Sequence, residues 1–272
     1  MTALALHDLS CYSKSSLTVV LPVMEALGVE AAVIPTAILS TQTDGVDDIY
    51  IEDREHEMTD IASRLEGLGV TFDGVYTGFL SSESEVDAVM RIVGRQEGLK
   101  LVDPVMGDGG ELYQTVTRSH AERMARLVRK ADIITPNLTE AMILTGLEDG
   151  LRKLGQGDIK DLVDVLRSLG PGRGVITSIP LLAGGLGNVA WDGDEKRIFQ
   201  YDDLGVSYPG SGDLFASVLF ALVLRGESFF GSVSHATAIA TYAIAESKRH
   251  GRERRLGIEL YPVMKEIRRR ML

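Results

Sequence analysis

Six short, largely apolar runs, Ala3–His7, Val29–Pro35, Gly74–Thr77, Lys100–Asp103, Asp132–Thr135 and Gly174–Ser178, read as β-strands, and no two follow each other without a helical stretch between. Leu17–Leu27, Glu55–Leu68, Ser84–Gln96, Arg118–Lys130, Leu138–Thr145 and Ile159–Leu169 carry that helical pattern. Strands joined through helices cannot close as tight hairpins, so they pair in parallel while the helices cross the sheet faces. The alternation changes at Gly184–Gln200, where glycine-rich, aromatic-punctuated segments flank Asp192-Gly-Asp194, the pattern of an antiparallel hairpin. Three more helices are expected from Ser211, Phe229 and Ile258. The fold class is therefore α/β, a central, mostly parallel β-sheet flanked by helices on both faces. Without a composition shift, repeat or low-complexity tract, residues 1–272 read as one domain.

A chain of 272 residues with a formal net charge of −11 lacks the basic face that nucleic acid or an anionic membrane requires, so neither is an expected partner. The same charge sets a condition on any polyphosphate ligand, which must be neutralised locally by metal and helix termini. The single cysteine, Cys11, excludes an intramolecular disulfide and suits a reducing compartment. Met1–Asp8 lacks a basic n-region and reads as the first strand, not a secretory signal. The longest apolar run, Leu214–Leu224, is far below membrane-spanning length. A soluble, cytoplasmic protein is expected.

In doubly wound sheets ligands sit outside the carboxyl ends of the strands, which makes the residues just after each strand the first candidates. After the hairpin region comes Tyr208-Pro-Gly-Ser-Gly-Asp213-Leu-Phe, which runs into the apolar segment Leu214–Leu224. Gly210, Ser211 and Gly212 would open a helix whose uncovered N–H groups and dipole suit an anion, with the Asp213 carboxylate beside it. A lone Asp there could equally satisfy backbone donors. Lys100–Asp103 continues into Asp103-Pro-Val-Met-Gly-Asp108-Gly-Gly110, two acids and three glycines in one loop, consistent with an Asp-Pro turn or with Mg²⁺-phosphate work. After Thr135, Asn137 and Glu140 stand three apart: they can cap a helix, or both reach one hydrated cation. Thr177 and Ser178 offer hydroxyls to phosphate oxygens.

Other motifs fail on context. Gly185-Leu-Gly187-Asn-Val-Ala190 matches a dinucleotide fingerprint in letters but leads into a strand and turn instead of a helix. There is no P-loop, no nucleophile elbow, and the five histidines lack ligand spacing. Lys248–Arg255 and Arg268–Arg270 read as a solvated, salt-bridged face.

Asp103-Pro-Val-Met-Gly-Asp108-Gly, Ile134-Thr-Pro-Asn137-Leu-Thr-Glu140-Ala, Val175-Ile-Thr177-Ser178 and Gly210-Ser-Gly212-Asp213-Leu-Phe together, in this order, resemble the pyridoxal kinase group of the ribokinase-like superfamily. The resemblance implies phosphorylation of a hydroxymethyl group on a pyridine ring, with ATP and Mg²⁺ as cofactors, K⁺ as a further candidate, and a homodimer. It implies Asp213 as catalytic base and Gly210, Ser211 and Gly212 as anion hole. Asp103, Asp108, Asn137, Thr177 and Ser178 fall beside the ATP phosphates, with Asp103 and Glu140 toward the metal. Ser10, Thr43 and Phe79 match contacts to the vitamin ring, and Gly107–Tyr113 a flap over the substrates. The anion hole departs from the usual Gly-Thr-Gly-Asp or Gly-Ala-Gly-Asp by Ser211, and His7–Tyr12 leans toward the sister hydroxymethylpyrimidine kinases. A kinase for a B6 vitamer is the expected function. A hydroxymethylpyrimidine (phosphate) kinase, a non-catalytic B6-binding protein and a sugar or nucleoside kinase are the alternatives.

Overall fold

The computed structural model describes residues 1–147 and 154–271. The chain runs β1 (Thr2–Ser10), α1 (Leu17–Ala26), β2 (Glu30–Leu39), β3 (Ile51–Asp53), α2 (Glu55–Gly67), β4 (Gly74–Thr77), α3 (Glu83–Gly94), β5 (Leu99–Val102), β6 (Gly107–Asp108) and β7 (Glu111–Leu112). It continues through α4 (Arg118–Val128), β8 (Ile133–Ile134), α5 (Leu138–Thr145), α6 (Gln156–Ser168), β9 (Arg173–Pro180), β10 (Leu186–Asp192), β11 (Glu195–Tyr201), α7 (Ser211–Leu224), α8 (Phe229–Arg249), a 3-10 turn (Arg254–Leu256) and α9 (Leu260–Met271).

Among the described residues, nine strands form one sheet in the order β11-β10-β9-β8-β5-β4-β1-β2-β3. The six inner strands β2, β1, β4, β5, β8 and β9 pair in parallel, and they are the six that the helix-separated pattern selects. The antiparallel β3, β10 and β11 lie toward the two edges. The strand pattern does not reveal β3 or the β6–β7 hairpin, which are too short for a period-two signal.

Several boundaries also move. β1 runs on to Ser10 and β2 to Leu39, because their ladder shifts register between His7 and Leu9, beside Pro35, which has no N–H to donate. The last helix starts at Leu260 instead of Ile258. Gly257 takes φ 70° under the Lys14 carbonyl, and the Ile258 N–H donates to Pro209 O at 3.0 Å.

Alternate residues of each strand feed two cores. Leu4, Leu6, Val75, Val102 and Ile134 face α2–α6, whereas Ala3, Ala5, Tyr76, Leu101 and Ile133 face α1, α7, α8 and α9. α7 is buried continuously from Leu214 to Leu222, which explains a helix with no polar stripe. It lies so close to the sheet that a Cβ on Gly74 would come within 2.8 Å of the Phe220 ring. β1 has β2 on one side and β4 on the other, so the connections diverge there and leave a crevice at the carboxyl ends of the strands. No helix among the described residues is long and apolar enough to cross a membrane.

Candidate active site

That crevice opens into a cavity of about 630 Å³, and every residue selected from the sequence lines it: Ser10, Thr43, Phe79, Asp103, Asp108, Asn137, Glu140, Thr177, Ser178 and Gly210–Asp213. They come from seven different strand ends, loops and helix starts, brought together because the parallel strands point the same way.

The two glycines around Ser211 have separate causes. Gly210 is the N-cap of α7 at φ 84°, and a Cβ there would stand 2.2 Å from Lys14 O. It is glycine because backbone presses on backbone in a left-handed conformation. Gly212 is exposed, with nothing within 4 Å of where its Cβ would sit. A ligand can therefore approach the first turn of α7 from the cavity, where N–H groups lack helical partners. The Ser211 N–H is already donated to Tyr208 O at 3.2 Å, which leaves the next donors to face an anion.

Asp213 follows in that turn, and its Oδ2 accepts the Ser16 N–H at 2.7 Å. Desolvation raises its carboxyl to about 6, and the Ser16 N–H works against the rise. Ser16 holds φ 49°, rare for a residue with a side chain, at the start of α1. Its segment is anchored by Lys14 N–H to Leu256 O at 3.0 Å. Ser178, also on the cavity wall, has φ 59°, with its N–H donated to Asn188 Oδ1 at 3.0 Å.

Asn137 and Glu140 make the cap. Asn137 Oδ1 accepts the Glu140 N–H at 2.9 Å and Glu140 Oε2 accepts the Asn137 N–H at 2.8 Å, a reciprocal capping box on α5. Glu140 Oε1 takes the Met106 N–H at 3.0 Å, and Asn137 Nδ2 donates to Gly107 O at 2.8 Å. The pair thus fastens the β6–β7 hairpin to α5. Gly109 and Gly110 turn the hairpin at φ 63° and 90°, and the Gly110 N–H reaches Thr139 Oγ1 at 2.9 Å.

Asp103 and Glu140 are both buried: burial, with repulsion from Asp213, raises the Asp103 carboxyl to about 8, and burial, with repulsion from Asp103, holds Glu140 well above the usual carboxylate range. At the other end Phe79 packs with Ala37, Leu39 and Val105 into an apolar wall. Ser10 Oγ donates to Asp8 Oδ2 at 3.0 Å, and Thr43 stands on the loop after β2.

Residues 21–256 match the phosphomethylpyrimidine kinase family. The chain belongs to this family. It is 31% identical over 231 residues to the pyridoxal kinase of Ovis aries, covering 72% of each chain. It is 28% identical over 173 residues to the pyridoxal kinase of Arabidopsis thaliana, spanning 57% of this chain and 54% of that one. A Bacteroides thetaiotaomicron protein whose crystal contains pyridoxal is 31% identical, with a TM-score of 0.89 over 98% of this chain and 95% of that one.

For a kinase family the cavity's countercharge matters. Among the described residues no group of three or more His, Cys, Asp or Glu is arranged to hold a metal ion. Asp103 offers a buried carboxylate on the cavity wall, while both Glu140 oxygens already accept backbone N–H groups. Such a donor set fits Mg²⁺, which binds through one or two carboxylates and completes its shell with water and phosphate oxygens.

Two contributors escape sequence reasoning. Asp8, 1% exposed, lines the cavity, and burial pushes it up to about 7, with Asp213 adding to the rise against the Ser16 and Ser10 hydroxyls. It stands one residue past the first predicted strand, so the strand-end rule could have found it. Arg254 pairs with Asp44 and donates Nε–H to Ser207 O at 3.1 Å, tying together two loops of the cavity rim. Arg252 donates to Gly257 O at 2.6 Å. The basic run is thus partly an internal strap, although Arg249, Arg255, Arg269 and Arg270 do form surface ion pairs. His7, by contrast, is a core residue, its ring 4.2 Å from that of Tyr76, and burial lowers it to about 3.

Proposed function

We propose that this chain transfers the γ-phosphoryl group of ATP to the hydroxymethyl group of a B6 vitamer, acting as a pyridoxal kinase. The observation that carries the proposal is Asp213 in the open first turn of α7, at the floor of the cavity on which all the motif residues converge. The pyridoxal kinase names of its relatives support the vitamer over a pyrimidine.

In this proposal the acceptor oxygen attacks the γ-phosphorus, the bond to the β,γ-bridging oxygen breaks, and ADP leaves. Asp213 takes the hydroxyl proton, and a carboxyl near 6 is suited to do so at neutral pH. The N–H groups at Gly212 and Asp213 meet the charge on the transferring group. Asp103 is assigned to the metal and phosphates. Glu140 acts by charge and by fixing the hairpin, and Asp108, Asn137, Thr177 and Ser178 line the path of the triphosphate. Mg²⁺ supplies charge neutralisation and orientation of the phosphates when bound. Leu204, Val206, Ala240 and Ile244 offer the apolar surface for the adenine, and Ser10, Thr43 and Phe79 are assigned to the vitamer. We assign residues 1–272 to one domain, acting in the cytoplasm as a homodimer.

Incubating the purified protein with MgATP and, separately, pyridoxal, pyridoxine, pyridoxamine and hydroxymethylpyrimidine tests this, with ADP release and phosphorylated product as readout. Preferential turnover of a vitamer is expected, and turnover of the pyrimidine alone would overturn the assignment. Exchanging K⁺ for Na⁺ in the same assay tests a monovalent requirement, and sedimentation tests the dimer.

A further inference from the structure

The two ends of the cavity differ in how they can accept negative charge. Near α7, open backbone and a helix N-terminus face the ligand. At the acceptor end stands Asp8, 1% exposed. Its Oδ2 takes the Ser10 hydroxyl at 3.0 Å, and its Oδ1 has no hydrogen-bond partner. A buried carboxylate oxygen without a donor is costly unless a ligand supplies one. Eight carboxylates line the cavity, and no Lys, Arg or His does among the described residues. Arg254 reaches the rim only to spend its guanidinium on Asp44 and Ser207.

Resting on the kinase reading, we propose that Asp8 selects the acceptor: its unpaired Oδ1 receives an N–H or O–H of a neutral or cationic heteroaromatic alcohol, and an acceptor already carrying a phosphate is refused. The ring lies against the apolar wall of Phe79, Leu39 and Val105, with its donor edge toward Asp8. A phosphate monoester brings about −1.5 to −2 charges at neutral pH. Carried on the hydroxymethyl group that reacts at Asp213, it meets no cationic side chain of the described cavity, whose wall includes Asp8 and Asp213, and like charges in one site repel strongly. The reaction therefore ends at the monophosphate, although the family takes its name from a substrate that already bears a phosphate.

The test compares hydroxymethylpyrimidine, its monophosphate and the B6 vitamers as acceptors for the wild-type protein, then repeats the best acceptor with Asp8→Asn. Expected are turnover of at least one unphosphorylated alcohol and kcat/KM at least about 100-fold lower for the monophosphate. Asp8→Asn should raise the acceptor KM about tenfold or more, as for loss of a charge-assisted hydrogen bond, with the ATP KM within about twofold. Comparable turnover of the monophosphate, or an unchanged acceptor KM in Asp8→Asn, overturns the selection by Asp8 and leaves the kinase reading standing. Turnover of no alcohol by a protein that still binds MgATP overturns both. The wild-type comparison decides the matter even if the variant does not fold.

Discussion

In the proposed assignment, the phosphate end of the cavity is made of backbone and the acceptor end of side chains. At α7 the features that matter are a left-handed Gly210, an uncovered Gly212 and one carboxylate, all within four residues. At the proposed acceptor end Asp8 and Ser10 come from the end of β1 and Thr43 and Phe79 from the loops after β2 and β4, and the loop carrying Thr43 is held by a distant partner, Arg254. Backbone sites are fixed by local conformation, so they tolerate little change. Side-chain sites can be retuned one residue at a time, which is where specificity within a family can diverge.

The comparison breaks most sharply at Asp213. Asp213→Asn keeps the size of the side chain and should keep the fold and nucleotide affinity while lowering kcat by roughly 10² to 10⁴-fold, the usual contribution of a positioned base. Near-normal kcat in this variant would remove Asp213 from the chemistry. On the proposed mechanism the wild type requires Asp213 in its ionised form. With the Asp213 carboxyl raised to about 6, kcat/KM should fall about tenfold per pH unit below that value. A pH profile flat down to pH 5 would contradict it.

Stability should move the other way. Asp8 and Asp213 rise on folding from 3.8 to about 7 and about 6. A carboxyl raised in the folded state contributes its full share below the unfolded value and loses it as pH climbs to the folded value. The ligand-free protein should therefore melt at a lower temperature at pH 8 than at pH 5. Thermal unfolding at both pH values checks this.

The two glycines separate structure from function within one turn. Gly210→Ala forces a Cβ to 2.2 Å from Lys14 O at φ 84° and should destabilise the fold by about 1–3 kcal/mol. Gly212→Ala meets nothing within 4 Å. Its melting temperature should stay near wild type while the ATP KM rises about tenfold, because the methyl group obstructs the close approach of an anion. Equal destabilisation of both variants would refute the division.

That division also explains what the sequence could disclose. Six parallel strands are legible because helices separate them, even β8 with its two residues, whereas β3, β6 and β7 each follow another strand with no helix between. Gly-Ser-Gly-Asp is legible because glycine marks a backbone demand directly. The cap made by Asn137 and Glu140 is legible from their spacing, whereas their contacts to Met106 and Gly107 appear only in the fold. Asp8 gives no comparable signal: one Asp at a strand end is common, and its burial is created by Ser10, Ser16 and the cavity wall. Arg254 looks like any other member of a basic run until Asp44, 210 residues earlier, folds against it.

Arg254→Ala should sharpen the contrast at the acceptor end. The ion pair with Asp44 is partly exposed, so its loss is worth about 0.2–1 kcal/mol. It should raise the acceptor KM by a factor of about two to five and leave the ATP KM and kcat near wild type. A larger change in the ATP KM than in the acceptor KM would mean that the loop carrying Thr43 and Asp44 serves the nucleotide instead.

The smallest effect is expected where the family motif departs, at Ser211. Its backbone N–H donates to Tyr208 O, and its side chain adds nothing to the Gly210 and Gly212 conformations on either side. Ser211→Ala and Ser211→Thr should therefore change kcat/KM by less than about threefold, within the range of substitutions that break no buried interaction. A loss of 100-fold in either variant would place the hydroxyl on the transferring phosphate and convert this end of the cavity from a backbone site into a side-chain site, like the acceptor end.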